Sequence, residues 1–457
     1  MKHEQWSSRA AFLLAAVGSA VGLGNIWRFP YVAGENGGGA FVLIYIGFVF
    51  LIGVPVLVAE LTIGRKSGQS PINAIVEVAK ESAANKKWKF LGWLGTFGGG
   101  LGLLSFYSVI AGWVMAYVLK AMMGMFDTID KAGTHDILGA HMADGGTMLM
   151  WHLAFIACTV YIVGKGINAG LEKAVTFLMP ILFLLLLVLL GYSMATANFG
   201  QAVDYLFTPD FSKIDGEVVL NALGQALFSL SVTVGTMLAY GAYLPKDVNI
   251  VRSAGLIAAA DTGVALISGL AIFPLVFAYG LQPTAGPSLI FEVLPVAFGQ
   301  MPGGAVLGPA FFILLTIAAL TSSISLLEPA VSFFEERKDM NRWKSAIFGG
   351  AIAFAVGTLT VFSNNEWADF YPLAFLGIET IQGDAATFFK INDFAVSNLI
   401  MPLGGLGIAL FAGWAVNREL LRKEMALPER GIFEIWHVLI KYVAPVALIA
   451  ILYQGLS

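Results

Sequence analysis

Long apolar stretches separated by short polar segments fill most of the chain. Eleven of them are long enough for a helix of about twenty residues to cross a bilayer. We number these spans 1 to 11, and they cover residues 9–31, 38–63, 88–124, 147–164, 167–195, 218–243, 247–281, 305–336, 341–363, 393–417 and 432–455. The pattern predicts an all-α polytopic membrane protein with eleven transmembrane helices, folded as one domain over residues 1–457.

Charged residues are distributed unequally between the two sets of connections. The segments after even-numbered spans hold most of the lysines and arginines, among them Arg65, Lys86 and Arg342, whereas the opposite segments are acidic, as at Asp127. Cytoplasmic loops carry an excess of Lys and Arg. We therefore expect a cytoplasmic N-terminus and, because eleven is odd, an external C-terminus.

Composition agrees with a membrane protein. The 457 residues are 58% hydrophobic and only 12% charged, and soluble domains carry about twice that share of charge. The single cysteine, Cys158, excludes a disulfide framework within the chain and is expected to be a small buried residue. The first apolar segment is too long for a signal-peptide core, so we expect it to remain as span 1.

Span 1 contains residues that hydrocarbon disfavours. Gly18, Gly22, Gly24, Asn25 and Arg28 all fall inside its apolar run. Non-helical backbone at membrane depth is tolerated where it is buried in protein or lines a cavity. The stretch therefore predicts a broken helix whose freed carbonyls and amides bind a ligand. The alternative is that the glycines only allow close helix packing.

A second predicted interruption lies five spans later. Residues 228–236 of span 6 are crowded with hydroxyl and β-branched side chains, which are poor material for a continuous helix. Matching breaks in corresponding positions of two halves indicate a transporter with inverted repeats. We predict inverted five-helix repeats at 9–195 and 218–422, with broken helices 1 and 6, and one extra C-terminal helix at 432–455.

Four stretches together resemble the neurotransmitter:sodium symporter family, which has the leucine-transporter-like fold. They are residues 18–30, 35–41, 223–228 and 320–324. The eleven spans resemble the bacterial branch, which implies a location in the bacterial inner membrane. The resemblance also implies cotransport of an amino acid or amine with sodium by alternating access.

The resemblance assigns two sodium ions to oxygen ligands, which hard cations prefer. The first site comprises Ala20, Asn25, Ser229 and Asp261, completed by the substrate carboxylate. The second comprises Gly18, Val21, Ala318, Thr321 and Ser322. The alternative for the two hydroxyl residues of span 8 is hydrogen bonding to the preceding helical turn.

Asp261 departs from the family pattern, which has asparagine there together with a nearby anion, chloride in many animal members. An acid inside a membrane span is costly and functional by default. We expect Asp261, bordered by Tyr45, Gln225 and Ser229, to replace that anion, so that transport is independent of chloride. The alternative is a protonated or salt-bridged structural acid.

The substrate site implied by the resemblance is mostly apolar. Its residues are Ala20, Gly22, Gly24, Leu103, Tyr107, Phe228, Ser229, Ser231, Val234, Ser322 and Leu326. The α-carboxylate is expected at the Gly22 and Gly24 amides and the Tyr107 hydroxyl, unless Tyr107 is an ordinary packed tyrosine. Thr233 stands where family members often have glycine. This pocket suits a neutral, rather hydrophobic amino acid.

Gate residues follow from the same resemblance. On the outer side Arg28 is expected to pair through water with Asp393. His3, beside Lys2, replaces the family's inner-gate arginine, which puts the inner salt bridge in doubt. The inner gate residues are Trp6, Tyr243 and Glu336.

Two further features concern the backbone of the spans. Gly170 and Pro180 bracket nine residues of span 5, a spacing that in relatives permits local unwinding, with a simple proline kink as the alternative. Glu60 in span 2 is expected to bond the backbone of span 1 or span 6 and so to support it.

The leading hypothesis is a sodium-coupled secondary symporter of neutral amino acids. The alternative is a non-transporting, amino-acid-sensing membrane receptor of the same fold; a channel would need a continuous polar stripe. The five histidines are scattered and there is no phosphate-binding glycine loop, so neither an enzyme nor an ATP-driven pump is indicated. The expected partners are the amino acid, sodium and the lipid bilayer, with no nucleic acid.

Overall fold

The computed structural model describes residues 4–195, 198–281, 288–338, 340–381, 383–428 and 431–456. Within them, nine helices are long and apolar enough to cross a membrane, and a tenth candidate is a helix pair bent by 51°. The bent pair is Arg9–Ala20 with Gly24–Glu35. The nine helices are Gly39–Ser67, Lys86–Met122, Gly145–Gly164, Ile167–Met194, Ile250–Ala278, Gly304–Arg337, Arg342–Phe362, Phe388–Ala415 and Ile432–Gln454.

Span 6 is interrupted as well. Its two helices, Gly216–Ser229 and Thr236–Ala242, are separated by a non-helical stretch. Neither piece alone is long enough to cross a bilayer. The breaks predicted in spans 1 and 6 are therefore confirmed, whereas the count of eleven transmembrane helices stays a prediction.

The connecting segments contain shorter elements. These are the helices Pro71–Glu81, Lys131–Ala143, Phe199–Phe207, Leu289–Gln300 and Arg418–Met425, the single turns Phe211–Lys213 and Ala374–Leu376, and the antiparallel strands Thr380–Ile381 and Asp384–Ala385. Apart from this strand pair the described residues form an α-helical protein, as predicted. A short helix precedes span 8 at Leu289–Gln300, while residues 282–287 lie outside the described residues.

Polar caps fix where several helices begin. The side chains of Asp144, Asp215 and Asn249 accept hydrogen bonds from backbone N–H groups in the first turns of the helices that follow them. Hydrogen bonds from the hydroxyl and N–H of Thr147 lower the pKa of Asp144. Thr387 caps span 10 in the same way, so its helix begins at Phe388 rather than at the predicted residue 393.

Burial separates the central spans from the peripheral ones. The apolar windows of spans 3 and 8 are 83% and 78% buried, compared with 28% for span 5. Spans 3 and 8 therefore form the centre beside the broken helices, and span 5 faces lipid over most of its surface. The prediction that Cys158 is buried is wrong, because its side chain is exposed. Lipid and protein interior are both apolar, so an apolar sequence context does not distinguish the two faces of span 4.

The break in span 6 contains strained backbone that a buried acid supports. Ser231 and Thr233 have positive φ angles of 50° and 74°, which are uncommon for residues with a side chain and most unfavourable when it is β-branched. The N–H of Thr233 donates to Oε1 of Glu60 at 2.8 Å. The predicted support of the span 6 backbone by Glu60 is confirmed.

We expect Thr233→Gly to raise the free energy of unfolding by about 1 kcal/mol, because glycine adopts positive φ without the cost of about 1–3 kcal/mol. The substitution also removes a buried hydroxyl that has no hydrogen-bond partner among the described residues. Thermal unfolding of the purified protein measures the change. Thr236→Gly is the control, because Thr236 is helical and donates to the Ser325 carbonyl. Equal losses in both variants would contradict the prediction.

Candidate substrate and sodium site

Spans 1, 6 and 8 meet at the carbonyl of Ser19. This carbonyl lies next to the break in span 1 and accepts hydrogen bonds from the hydroxyls of Ser231 at 2.8 Å and Ser322 at 3.2 Å. The Ser19 hydroxyl in turn donates to the hydroxyl of Ser325 at 2.7 Å. Both broken helices are thus fastened to span 8 at the level of their breaks.

Oxygen atoms converge beside this junction, in the interior of the protein. Three of them surround the side-chain nitrogen of Asn25: Asp261 Oδ1 at 2.6 Å, the Asp261 carbonyl at 3.1 Å and Ser229 Oγ at 3.3 Å. All three residues are at most 1% exposed. Acceptors gathered around one buried point form an environment that suits a cation.

Asn25 can present either end of its amide to this point. As placed, its Oδ1 accepts from the N–H of Gly22 at 3.2 Å and its nitrogen faces Asp261. Rotation of the amide would exchange the two and turn Oδ1 toward the converging oxygens. The carboxylate of Asp261 and the amide oxygen of Asn25 would then act together as ligands.

Two of the three residues predicted to border Asp261, namely Ser229 and Tyr45, contact its carboxylate. Its Oδ2 accepts a short hydrogen bond from Ser229 and a longer one, 3.5 Å, from the hydroxyl of Tyr45. The side-chain nitrogen of Gln225 instead donates to the Gly24 carbonyl at 3.1 Å. No lysine or arginine forms a salt bridge with Asp261 in the part of the chain that the structure describes, so the salt-bridged alternative is not observed.

The group predicted for the second sodium lies between spans 1 and 8. A side chain at Gly18 would lie 3.4 Å from Cβ of Thr321 and 2.9 Å from Sδ of Met179 in span 5. The Thr321 hydroxyl donates to the carbonyls of Ile317 and Ala318, both at 3.1 Å, which is the hydrogen bonding to the preceding turn that we gave as the alternative. A hydroxyl that donates still has lone pairs for a cation.

All eleven residues predicted for the substrate line a single small cavity of about 30 Å³ between spans 1, 3, 6 and 8. Sequence reasoning missed three of its lining residues, namely Ser19, Leu23 and Met401. A cavity of this size is far smaller than an ordinary ligand pocket of about 300 Å³ or more. Side chains must therefore move before an amino acid can occupy it.

The Tyr107 hydroxyl points into this cavity without a satisfied hydrogen bond. It is buried and has no partner of ordinary geometry among the described residues, although the Ser322 hydroxyl and the Leu23 N–H lie near it. A side chain at Gly22 would lie 3.3 Å from this hydroxyl. Buried hydroxyls without partners are rare, so this one is positioned for a ligand close to the span 1 backbone.

On the side predicted to be external, a second cavity of about 510 Å³ shares Phe228 and Met401 with the 30 Å³ cavity. Arg28 and Phe228 line it together with Lys390 and Glu217, and the guanidinium of Arg28 lies 4.8 Å from the Phe228 ring centroid. Asp393 accepts from the hydroxyl of Ser397 at 3.1 Å. Arg28 and Asp393 form no direct salt bridge within the described residues, and their pairing through water stays a prediction.

On the side predicted to be cytoplasmic, Trp6 packs at the base of the broken helices. Its indole is 2% exposed and packs edge-on against Tyr240 and Tyr243. Its ring nitrogen donates to the Tyr240 carbonyl at 3.2 Å, and its backbone N–H donates to the Tyr243 carbonyl at 3.1 Å. The predicted proximity of these aromatic residues is present. Lys2 and His3 lie outside the described residues.

The acid that contacts Tyr243 is Glu328, which sequence reasoning did not single out. The Tyr243 hydroxyl donates to Glu328 at 2.7 Å, and Arg342 forms a two-pronged salt bridge with the same carboxylate. Glu336 accepts instead from the backbone N–H of Ser70 at 2.7 Å and from the Asn73 side chain at 2.6 Å. As an acid inside span 8, Glu328 could have been found by the same argument that identified Asp261.

The N-terminal segment also contacts the start of span 5. Glu4 accepts from the backbone N–H of Ile167 at 2.6 Å, and Ser7 N–H donates to Glu172 at 3.0 Å. The turn Ile167–Glu172, which contains Gly170, is wider than an α-helical turn. The helix continues without interruption past Pro180, so the predicted unwinding between Gly170 and Pro180 stays a prediction.

Known proteins resemble this chain over most of its length. The sequence profile of the sodium:neurotransmitter symporter family matches residues 3–128 and 137–368. The chain is similar to the uncharacterized sodium-dependent transporter YhdH of Bacillus subtilis, with 38% identity over 98% of this chain and 97% of the relative. An uncharacterized sodium-dependent transporter of Haemophilus influenzae is 32% identical over 100% of this chain and 98% of its own length.

A solved structure and a more distant relative extend this comparison. The crystal structure of MhsT in complex with L-phenylalanine superposes with a TM-score of 0.88 at 39% identity, covering 99% of this chain and 100% of that one. The sodium- and chloride-dependent taurine transporter of Canis lupus familiaris is 27% identical over 72% of this chain and 60% of its own length.

Proposed function

The chain belongs to the sodium:neurotransmitter symporter family, a family of sodium-dependent membrane transporters, and from this premise we propose that it carries neutral, rather hydrophobic amino acids into the cell by alternating access. The observation that carries the proposal is a small, mostly apolar cavity that abuts both the broken backbone of span 1 and the oxygen cluster around Asp261. Substrate and sodium would bind side by side there.

The carboxylate end of the substrate is expected at the span 1 break. The unsatisfied hydroxyl of Tyr107 and the nearby Leu23 N–H are donors that an α-carboxylate would satisfy. Because Gly22 N–H already donates to Asn25, its use for the substrate requires Asn25 to turn its amide toward a cation. Binding of sodium would thereby free a donor for the carboxylate, which couples the two ligands.

The remainder of the cavity supports an apolar side chain. Leu103, Val234, Leu326 and Met401 contribute hydrocarbon, and the ring of Phe228 covers the Gly24 backbone. The hydroxyls of Ser231 and Ser322 are engaged with the Ser19 carbonyl and so are not free to recognise a polar side chain. The MhsT structure, which contains L-phenylalanine, is consistent with such a substrate.

We propose that two sodium ions accompany each substrate and that chloride is not required. The first ion would be held by Ala20, Asn25, Ser229 and Asp261, and the second by Gly18, Val21, Ala318, Thr321 and Ser322. Asp261 would supply the negative charge that chloride provides in relatives named sodium- and chloride-dependent, such as the taurine transporter. Arg28 with Asp393 and Trp6 with Tyr243 and Glu336 would close the outer and inner sides.

The proposed location is the bacterial inner membrane, with the N-terminus in the cytoplasm and the C-terminus outside. The support is the concentration of lysines and arginines on the side of Arg65 and Arg342. The predicted repeats, 9–195 and 218–422, then have opposite orientations around the site.

Uptake of labelled L-phenylalanine into proteoliposomes tests the transport function. We expect accumulation that requires an inward sodium gradient, is abolished when choline replaces sodium and is unchanged when gluconate replaces chloride. Competition by unlabelled amino acids would define the substrate range. Sodium-dependent binding without uptake or counterflow would favour the non-transporting receptor, and uptake without sodium would contradict the proposal.

We expect Tyr107→Phe to raise the KM for uptake at least tenfold, because a hydrogen bond to a charged group contributes about 1.5–3 kcal/mol. Tyr117→Phe is a matched control, since Tyr117 lies on the same helix and its buried hydroxyl also has no partner among the described residues, but its ring packs against Phe126 and Phe291 away from the cavity. The control should keep the original KM. Equal effects in the two variants would remove Tyr107 from the site.

A further inference from the structure

An uncompensated group of lysines lies at the start of span 3. Residues 83–93 contain Lys86, Lys87 and Lys89 and no aspartate or glutamate. All three lysines are exposed, and none forms a salt bridge in the part of the chain that the structure describes. We call Lys86, Lys87 and Lys89 the span 3 lysines.

Some other lysines on the same side of the protein are paired with carboxylates. Lys66 pairs with Glu81 at 2.8 Å, and Lys246 pairs with Glu424 at 2.8 Å. The positive-inside pattern alone requires lysines on this side but not that they stay unpaired. The span 3 lysines therefore leave a local positive charge that the protein itself does not balance.

An apolar surface continues directly from these lysines. Lys86, Lys89, Phe90 and Trp93 are spaced as neighbours on one helix face and are all exposed, Phe90 by 62% and Trp93 by 42%. Their neighbour Leu91 is buried on the other side. Trp93 lies about 6 Å farther along the helix than Lys89, so the amines and the aromatic rings follow one another along the helix axis.

A cavity opens beside this face. It has a volume of about 300 Å³ and is lined by Asn85, Lys87, Trp88, Phe90 and Leu91. The ring of Trp88 packs at 5.4 Å from that of Phe411 near the end of span 10. The cavity is thus lined by both an amine and aromatic rings, close to the contact between spans 3 and 10.

We propose that this surface binds an anionic phospholipid. The span 3 lysines would hold the headgroup phosphate, and Phe90 and Trp93 would contact the acyl chains below it. Clusters of lysines just outside a membrane span attract anionic lipids, and aromatic residues favour the same interfacial depth. A free phosphate has the same charged group as the lipid headgroup but makes no use of the apolar face. We therefore assign this surface to a phospholipid rather than to free phosphate.

Native mass spectrometry of the full chain, in micelles containing equal amounts of phosphatidylglycerol and phosphatidylcholine, tests the proposal. We expect phosphatidylglycerol to be retained preferentially. The triple variant Lys86→Gln, Lys87→Gln, Lys89→Gln should weaken its binding about fivefold for each lysine removed. The matched control is Lys165→Gln, Lys173→Gln, Lys344→Gln, which removes three exposed lysines from the same side and should bind like the original protein.

Several outcomes would overturn the proposal. They are equal retention of the two lipids, equal losses in the two triple variants, or displacement of phosphatidylglycerol by inorganic phosphate at the same concentration. The variant with arginine at the three span 3 positions should retain the lipid, because charge rather than lysine is required. Elution as a single peak and an unchanged thermal midpoint show that each variant is folded, so loss of the lipid is then local.

Discussion

Asp261→Asn is expected to lower sodium-driven uptake at least about 100-fold in chloride-free medium. The carboxylate of Asp261 is fully buried and contacts Asn25, Ser229 and Tyr45. If it faces a sodium ion, its removal leaves a buried cation without its counter-charge. Breaking such a buried pair costs about 3–5 kcal/mol, and 100-fold corresponds to about 2.7 kcal/mol.

Chloride should partly restore the activity of this variant. The asparagine recreates the family pattern, and a chloride ion could take the space of the lost carboxylate between Tyr45, Gln225 and Ser229. We expect uptake by the variant to be about tenfold higher in chloride than in gluconate, a factor that corresponds to about 1.4 kcal/mol, whereas the original protein should not distinguish the two anions.

Ser268→Ala serves as the control for this experiment. Ser268 lies on the same helix, is buried and has a hydroxyl without a partner among the described residues, yet it does not contact the oxygen cluster. Its variant should transport normally in both anions. Full activity of Asp261→Asn without chloride would show that Asp261 is a structural acid, the protonated alternative that the sequence left open.

The sequence predicted the parts of the fold that depend on the contrast between lipid and polar backbone. Hydrocarbon tolerates few glycines or hydroxyl clusters, so residues 18–25 and 228–236 were recognisable as breaks, and both are present. The meeting of Asn25, Ser229 and Asp261 was predicted from family resemblance rather than from spacing. These three residues come from three helices, and nothing in the local sequence specifies which helices become neighbours.

Other features depend on tertiary contacts that the sequence does not reveal. The exposure of Cys158 was not predicted, because an apolar segment has the same sequence pattern whether it faces lipid or protein. Leu23 enters the site through its backbone N–H, so its side chain carried no signal. Glu328 and Glu336 are two helical turns apart on one helix, so the sequence alone does not indicate which of them is paired. The structure shows that Arg342, at the start of span 9, contacts Glu328.

The Glu328–Arg342 salt bridge links four elements on the side predicted to be cytoplasmic. Glu328 lies on span 8 and is fully buried, whereas Arg342 begins span 9. The Tyr243 hydroxyl joins from the end of span 6, and Nε of Arg342 donates to the Val163 carbonyl of span 4 at 2.9 Å. The Tyr243 backbone in turn accepts from Trp6. The salt bridge therefore supports Trp6 and Tyr243, the residues predicted to close the inner side.

Glu328→Gln should consequently reduce the free energy of unfolding by about 3 kcal/mol or more, because it leaves the largely buried guanidinium of Arg342 without its main partner. Thermal unfolding in detergent measures the loss. Glu335→Gln is the matched control, since Glu335 contacts the same guanidinium at 2.8 Å but is 26% exposed, and its loss should be below about 1 kcal/mol. The double variant Glu328→Gln, Arg342→Gln should recover most of the stability, because the only charge that it leaves without this partner is the partly exposed carboxylate of Glu335. If the double variant lost as much free energy of unfolding as the two single variants together, the two side chains would not act as a pair. The predicted closure of the inner side would then have to rest on the aromatic contacts of Trp6 alone.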